Sequence, residues 1–163
     1  MRLIVATVAA LWAVLAVPAV AAVDEAIRNG GVQLDVPEGW TKVDRADKPA
    51  ATDPRTLLVV GTKGARAIES ECLVASYRVP ADGAVVVVVG WRESVGTTGL
   101  LPLGALKLRR ETFACYPGRG AVAQVTRGGK DFQVSVMVGD RADARTVAQA
   151  LAVARSFALA PRP

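Results

Sequence analysis

The chain has 163 residues, of which 52% are hydrophobic, with a net charge of +5 and no histidine. The absence of histidine excludes Ser-His-Asp and Cys-His catalysis, histidine general-base chemistry and most zinc sites. The basic residues are spread along the chain and no nucleic-acid-binding motif is present, so nucleic acid is not expected as a partner.

The N-terminus predicts an exported protein. Arg2 precedes an almost wholly apolar run from Leu3 to Val17, and Ala19-Val20-Ala21 offers small residues at the −3 and −1 positions of a signal-peptidase site. The apolar run is short for a membrane span, which needs about 20 residues. We therefore expect residues 1–21 to be a signal peptide and residues 22–163 to form one secreted or extracytoplasmic domain, with membrane contact at most peripheral. An uncleaved anchor is the alternative.

The first part of this domain predicts extended structure. Asp24 to Gly31 is polar and is expected to form a short helix or a frayed lead-in. Val32 to Val36 alternates apolar and polar residues, which is the period of a half-buried strand. After a turn, a second short strand is expected from Trp40 to Val43, and the polar segment 44–55 is predicted to be a surface loop.

The centre of the chain predicts a β-sheet. Strands are expected at 57–62, 69–79 and 84–92, and Pro80-Ala81-Asp82-Gly83 is expected to join the last two as a hairpin, with Gly83 at positive φ. Residues 85–89 are five consecutive valines, which leave that strand no solvent-facing side. We therefore expect this strand to lie centrally, with both faces of the sheet covered.

The two cysteines of the chain, Cys72 and Cys115, both follow the predicted cleavage site. Oxidising compartments preserve disulfides and an even count leaves no unpaired thiol, so a Cys72–Cys115 bond is favoured. Two buried free thiols are the alternative. Residues 115–120 are expected to form a disulfide-tethered turn with Arg119 exposed at its tip.

A glycine-rich loop is expected over residues 94–104, and a further strand over 107–113. Residues 121–127 and 130–138 flank Gly128-Gly129, which is the signature of a two-residue hairpin. This turn pairs Val125 with Phe132 and Ala123 with Val134 on one face, so the register and the hydrophobic pattern agree.

The chain ends in a predicted helix from about residue 142 to 157, capped by Asp140 or Asp143. Its apolar stripe contains Val147, Leu151, Ala154 and Phe157. Strands followed by one terminal helix predict an α+β fold. We expect an antiparallel sheet of about six strands, with hairpins at 80–83 and 128–129, packed against the C-terminal helix and carrying helices on one or both faces.

Three carboxylates are the candidate groups for an enzyme. Glu69 and Glu71 lie two apart and point to one side of a strand, and Glu93 follows the valine strand. Paired carboxylates catalyse acid–base reactions when their environments separate their pKa values, but a solvated rim is the simpler interpretation. A carboxylate-based hydrolase or lyase is therefore the alternative function. No cofactor or metal ligand set is predicted.

Trp91 and Arg92 are the candidate ligand-binding residues, because they end a strand beside the glycine-rich loop, which contributes Leu100 and Leu101. Trp91 also fits an ordinary role at the edge of the core. These residues predict a non-catalytic domain that binds an unknown protein or an amphipathic small molecule. A basic-surface protein associated with anionic lipid or cell-wall polymer is a further alternative.

Residues 32–40, ending in VPEGW, resemble the first strand and turn of PsbP/Mog1-like proteins, and residues 151–157, closing on Arg155-Ser156-Phe157, are similar to their C-terminal helix. The resemblance implies an antiparallel sheet sandwiched by helices and a non-enzymatic binding function, as in exported lipoproteins of actinobacteria. The cysteine pair and the glycine-rich loop depart from the family pattern. The resemblance implies no site residues.

Overall fold

The computed structural model describes residues 25–45, 53–72, 74, 76–93, 102–110 and 115–161. The predicted signal peptide, Leu100 and Leu101 lie outside the described residues. The strands are β1 (Glu25–Asn29), β2 (Val32–Val36), β3 (Trp40–Lys42), β4 (Arg55–Thr62), β5 (Arg66–Ala67), β6 (Tyr77–Arg78), β7 (Ala84–Gly90), β8 (Arg119–Arg127), β9 (Lys130–Val138) and β10 (Ala158–Leu159). A 3-10 turn covers Leu103–Ala105, and the helix α1 covers Ala144–Arg155.

The described strands form three antiparallel arrangements. The largest is a five-stranded sheet in the order β3-β4-β7-β9-β8. A three-stranded sheet has the order β1-β2-β10, and β5 pairs with β6 in a two-stranded ladder. The predicted α+β fold with a C-terminal helix is confirmed in this coarse form. The prediction of about six strands is wrong, because short strands at 25–29, 66–67 and 158–159 carry no clear alternation of apolar and polar residues.

The valine strand β7 lies at the centre of the five-stranded sheet, as predicted. Val85 to Val89 are each 0–1% exposed. Val86 and Val88 belong to a core shared with β2 and α1, whereas Val85 and Val87 face a second core under Val74 and Tyr77. Both faces are therefore covered, but in the described part of the chain a helix covers only one of them. Among the described residues, the second face is covered by Val43 and by residues of the segment 65–79, chiefly Val74 and Tyr77, none of which is helical, so the expectation of helices on both faces is not met.

The hairpin at Gly128-Gly129 is confirmed. Both glycines have positive φ, 57° and 74°, as a two-residue hairpin turn of this kind requires. Val125 pairs with Phe132 and Ala123 with Val134.

The turn at Pro80–Gly83 is present, but it does not close a hairpin. The Gly83 N–H donates to the Pro80 carbonyl at 3.0 Å. The strands on either side belong to different sheets, because β6 pairs with β5 and β7 pairs with β4 and β9. Gly83 is not among the glycines with positive φ. Lack of room for a side chain accounts for glycine at this position instead. An added Cβ would collide with the Thr62 hydroxyl, which accepts a hydrogen bond from the Ala84 N–H.

Three predicted elements differ from the structure. Residues 25–29 form the strand β1, which turns through Gly30-Gly31 at positive φ into β2. In the described part of the predicted strand 69–79, strand pairing is limited to Tyr77–Arg78. In the described part of 107–113, strand pairing is limited to a bridge between Arg109 and Gly120.

The helix α1 begins and ends close to the predicted bounds. Asp143 is its N-cap, and the Asp143 carboxylate accepts the Thr146 N–H at 2.7 Å. Ala150, Val153 and Ala154 are buried against the sheet. Phe157 follows the helix and packs on Phe132, with 5.2 Å between the ring centroids.

Replacing Asp143 by alanine is expected to lower the urea midpoint of unfolding, because the first turn of α1 loses an acceptor for a backbone N–H. The hydrogen bond from the Thr146 N–H lowers the pKa of Asp143 below its usual value of 3.8. The contribution of the cap is therefore present above pH 3.8 and disappears as the pH falls through the lower folded-state pKa. Urea titrations of wild type and variant should differ at pH 7 and approach each other as the pH falls below 3.8. Asp140→Ala is the control and should leave the midpoint unchanged at both pH values.

A disulfide joins Cys72 and Cys115, as predicted. It ties the segment 65–79, which covers the second core, to the residues that lead into β8. The bond is compatible with a secreted or extracytoplasmic protein. Within the described ranges, the structure contains no helix with the length and apolar character needed to cross a membrane.

Candidate functional site

A cleft of about 440 Å³ opens at one end of the five-stranded sheet. Here β4 begins, β7 ends, and the β8–β9 hairpin turns. The opposite wall is formed by the β1–β2 turn at Gly30-Gly31 and by Leu159 to Pro161. The cleft therefore lies between the five-stranded sheet and the three-stranded sheet, at the place where the three-stranded sheet meets the end of the five-stranded one.

The floor of the cleft is apolar. Leu57 and Phe132 line it and are 5% and 4% exposed. Leu159 also lines it and is 42% exposed, which is unusual for a large apolar side chain in this structure. An apolar surface left open inside a concave site is typical of ligand binding.

The rim of the cleft is cationic. Arg55, Arg92, Arg127 and Lys130 line it, and all four are exposed. They come from β4, from the residues just after β7, from β9 and from β8, which are consecutive strands of the five-stranded sheet. Neighbouring strands lie about 4.8 Å apart. None of the described residues that line the cleft is acidic.

Two carboxylates lie close to the cleft in the chain but are not among the residues that line it. The Asp53 carboxylate accepts the backbone N–H of Arg92 at 2.9 Å. The Asp131 side chain is 1% exposed and accepts the Thr126 hydroxyl at 2.6 Å. Asp131 lies between Lys130 and Phe132, so the alternation of a strand directs it to the opposite face of the sheet.

The structure brings the predicted pair Trp91 and Arg92 to the same cleft. Trp91 is half-buried and also packs against the second core, which is its simpler predicted role. Arg55, Arg127 and Lys130 are not among the predicted site residues. The Arg-Gly-Gly-Lys sequence at the hairpin could have indicated two of them, because that register places Arg127 opposite Lys130.

The candidate catalytic carboxylates do not come together at the cleft. Glu69, Glu71 and Glu93 are exposed, and none of them lines it. Across the described ranges there is also no cluster of three or more His, Cys, Asp or Glu side chains suited to a metal ion. The chemistry that the cleft can offer through its described side chains is therefore apolar contact and positive charge.

Arg119 corrects another expectation, since it is half-buried and not exposed at a turn tip. Its guanidinium donates to the carbonyls of Gly139 and Ala142 at 3.0 and 3.1 Å. The neighbouring Tyr116 hydroxyl donates to the Val138 carbonyl at 2.9 Å. Burial, with the Asp140 carboxylate adding to it, raises the pKa of Tyr116, and Arg119 partly opposes this. These contacts fasten the start of β8, at the far end of the sheet from the cleft.

The cleft has to be interpreted from its own chemistry. Comparison of the chain with protein-family models, curated proteins and solved structures gives no match. The similarity to PsbP/Mog1-like proteins stays a prediction.

Proposed function

We propose that this chain is an exported, non-catalytic binding domain that holds an amphipathic small molecule in the cleft. The observation that carries the proposal is the union of an apolar floor with an exposed cationic rim. The cleft volume of about 440 Å³ falls within the range of small-molecule sites, roughly 300–1,000 Å³.

A small molecule is favoured over a protein partner because the exposed apolar surface is concave. Leu57, Phe132 and Leu159 line the cleft, and a slender chain fits a concave site of this kind better than a broad protein surface does. A carboxylate-based hydrolase or lyase receives less support, because Glu69, Glu71 and Glu93 lie outside the cleft. Export is supported by the N-terminal signal pattern and by the disulfide. The PsbP/Mog1-like resemblance points to the same non-enzymatic role.

Titration with n-octanol tests the proposal by calorimetry. The wild-type protein is expected to bind one octanol per chain in a saturable manner. Leu159→Trp should weaken this binding about tenfold, because the larger ring occupies space that the alkyl chain would fill. Ile68→Trp is the matched control. Ile68 is also a large apolar side chain that is exposed, at 38%, but it does not line the cleft.

Equal octanol affinity in Leu159→Trp and wild type would remove the cleft as the binding site. Equal weakening by the two tryptophan variants would show that the effect comes from the fold and not from the cleft. Circular dichroism of both variants establishes that each is folded before its affinity is measured.

A further inference from the structure

We infer that the polar end of the bound molecule is an anion, and that a phosphate ester on an alkyl chain is the ligand class this cleft is built to hold. This inference rests on the proposed function and specifies the head group. It follows from the number, the placement and the pairing of the four cations on the rim.

The charge of the rim is one-sided. Arg55, Arg92, Arg127 and Lys130 all line the cleft, without a described acidic residue among the lining. Arginine keeps its charge at any physiological pH. A cationic or neutral head group would leave four like charges uncompensated around a concave site, whereas an anion is attracted to all of them.

The strand register places two of these cations opposite each other, and their repulsion is unfavourable when no ligand is bound. Arg127 on β8 lies directly opposite Lys130 on β9. Like charges opposite each other across a strand pair are destabilising. An anion bound between the two side chains converts their repulsion into two attractions, so this pair gains more from a ligand than isolated surface cations would.

The direction of the side chains sets the orientation of the ligand. Val125 and Phe132 belong to the first core, and Arg127 and Lys130 lie two residues from them along their strands. The period of two places all four side chains on one face of the sheet. The cations therefore stand at the mouth of the cleft directly outside the apolar floor, which orders a ligand with its head outward and its chain against Leu57 and Phe132.

Phosphate fits this rim better than carboxylate. Guanidinium groups bind phosphate in a bidentate manner, and a phosphate monoester presents three acceptor oxygens and up to two charges. Three arginines and a lysine from four strand positions can satisfy those oxygens from several directions. A carboxylate has two acceptor oxygens and one charge, and would leave more of the rim unpaired.

The test compares three soluble octyl probes by calorimetry: octyl phosphate, n-octanol and octyltrimethylammonium. Octyl phosphate is expected to bind at least about tenfold more tightly than octanol, which corresponds to one charge-assisted hydrogen bond. Octyltrimethylammonium should bind more weakly than octanol. Raising the salt concentration should weaken the binding of octyl phosphate and leave that of octanol unchanged.

The double variant Arg92→Gln/Arg127→Gln should lose at least about tenfold in affinity for octyl phosphate, so that the ratio of its octyl phosphate affinity to its octanol affinity falls. The matched control is Arg66→Gln/Arg78→Gln. These two arginines are also exposed and lie opposite each other in the β5–β6 ladder, away from the cleft, so the control makes the same change in net charge.

The outcomes separate the two proposals. Octanol and octyl phosphate binding with equal affinity in the cleft would overturn the anion assignment and leave the proposed function standing. Failure of both probes to bind would overturn both. An equal loss of octyl phosphate affinity in the control variant would also overturn the assignment, because the effect would then reflect net charge alone.

The source of the phosphate ester is decided by a vesicle assay. Vesicles of phosphatidylcholine that contain phosphatidic acid, a phosphate monoester, and vesicles of phosphatidylcholine alone are sedimented with the protein in the presence and absence of octyl phosphate. Co-sedimentation with the phosphatidic acid vesicles alone, reversed by octyl phosphate, would identify a lipid head group in a bilayer as the ligand. Binding of octyl phosphate without co-sedimentation would identify a free phosphate amphiphile. If the Arg92→Gln/Arg127→Gln variant still co-sediments with the anionic vesicles as the wild type does, the cleft is not the site that binds the anion.

Discussion

Replacing Cys72 and Cys115 together by serine is expected to lower the free energy of unfolding by roughly 2–4 kcal/mol. The bond closes a loop of 43 residues, so its loss restores much conformational freedom to the unfolded chain. The native state also loses an anchor. In the described part of the segment 65–79, Arg66 pairs with Arg78, Ala67 pairs with Tyr77, and the Ile68 N–H donates to the Ser76 carbonyl. The segment contributes Val74 and Tyr77 to the second core.

Urea unfolding followed by far-UV circular dichroism measures this effect. Wild-type protein treated with a reducing agent should reproduce the midpoint of the double serine variant. Glu71→Ser is the control, because it introduces serine at an exposed position next to Cys72 and should change stability by less than about 0.5 kcal/mol. Identical midpoints for the oxidised, reduced and serine forms would show that the segment 65–79 is held by packing alone.

Val86→Asp and Val87→Asp are each expected to destabilise the protein by more than about 4 kcal/mol, since either change places a carboxylate in a sealed core. Both valines are 0% exposed, and they face opposite sides of the sheet. Val86→Thr and Val87→Thr are the graded versions, which keep the side-chain shape and bury one hydroxyl, at a cost of about 1–3 kcal/mol each.

The comparison between the two threonine variants is the informative measurement. Val122→Thr on the edge strand β8 is the control, because position 122 is half-buried and the hydroxyl of the introduced threonine can therefore reach water. A urea midpoint for Val87→Thr as high as that for Val122→Thr would contradict a sealed second core. A normal midpoint for Val86→Thr would contradict the packing of α1 and β2 on the first.

Patterns that depend on neighbouring residues predict the structure well. The β8–β9 register follows from Gly128-Gly129 and from the alternation on both sides of it, and the predicted pairs occur. The same signal, Gly30-Gly31, precedes β2, yet β1 was not predicted because Ile27 is the only large apolar residue within Glu25–Asn29. A strand held at an edge mainly by backbone hydrogen bonds needs no alternation, so composition hides it.

Local sequence patterns do not predict which residues come together in the cleft. Trp91 and Arg92 were identified from their position at the end of a strand, but their partners come from distant parts of the chain. Arg55 reaches the same edge because it pairs with Gly90, and Gly90 in turn pairs with Phe132. The periodicity of a single segment does not indicate which strands are neighbours in the sheet.

By itself the sequence determined the central valine strand, the 128–129 hairpin, the C-terminal helix and the cysteine pair, and it left Asp140 and Asp143 as alternative caps of that helix. Each depends on a local period, a turn conformation or a residue count. Only the tertiary structure decided that β6 pairs with β5 and not with β7, that Val74 and Tyr77 cover the second core, and that four cations line one cleft with apolar residues. These features depend on which surfaces dock, and docking is selected by the packing of residues far apart in the chain.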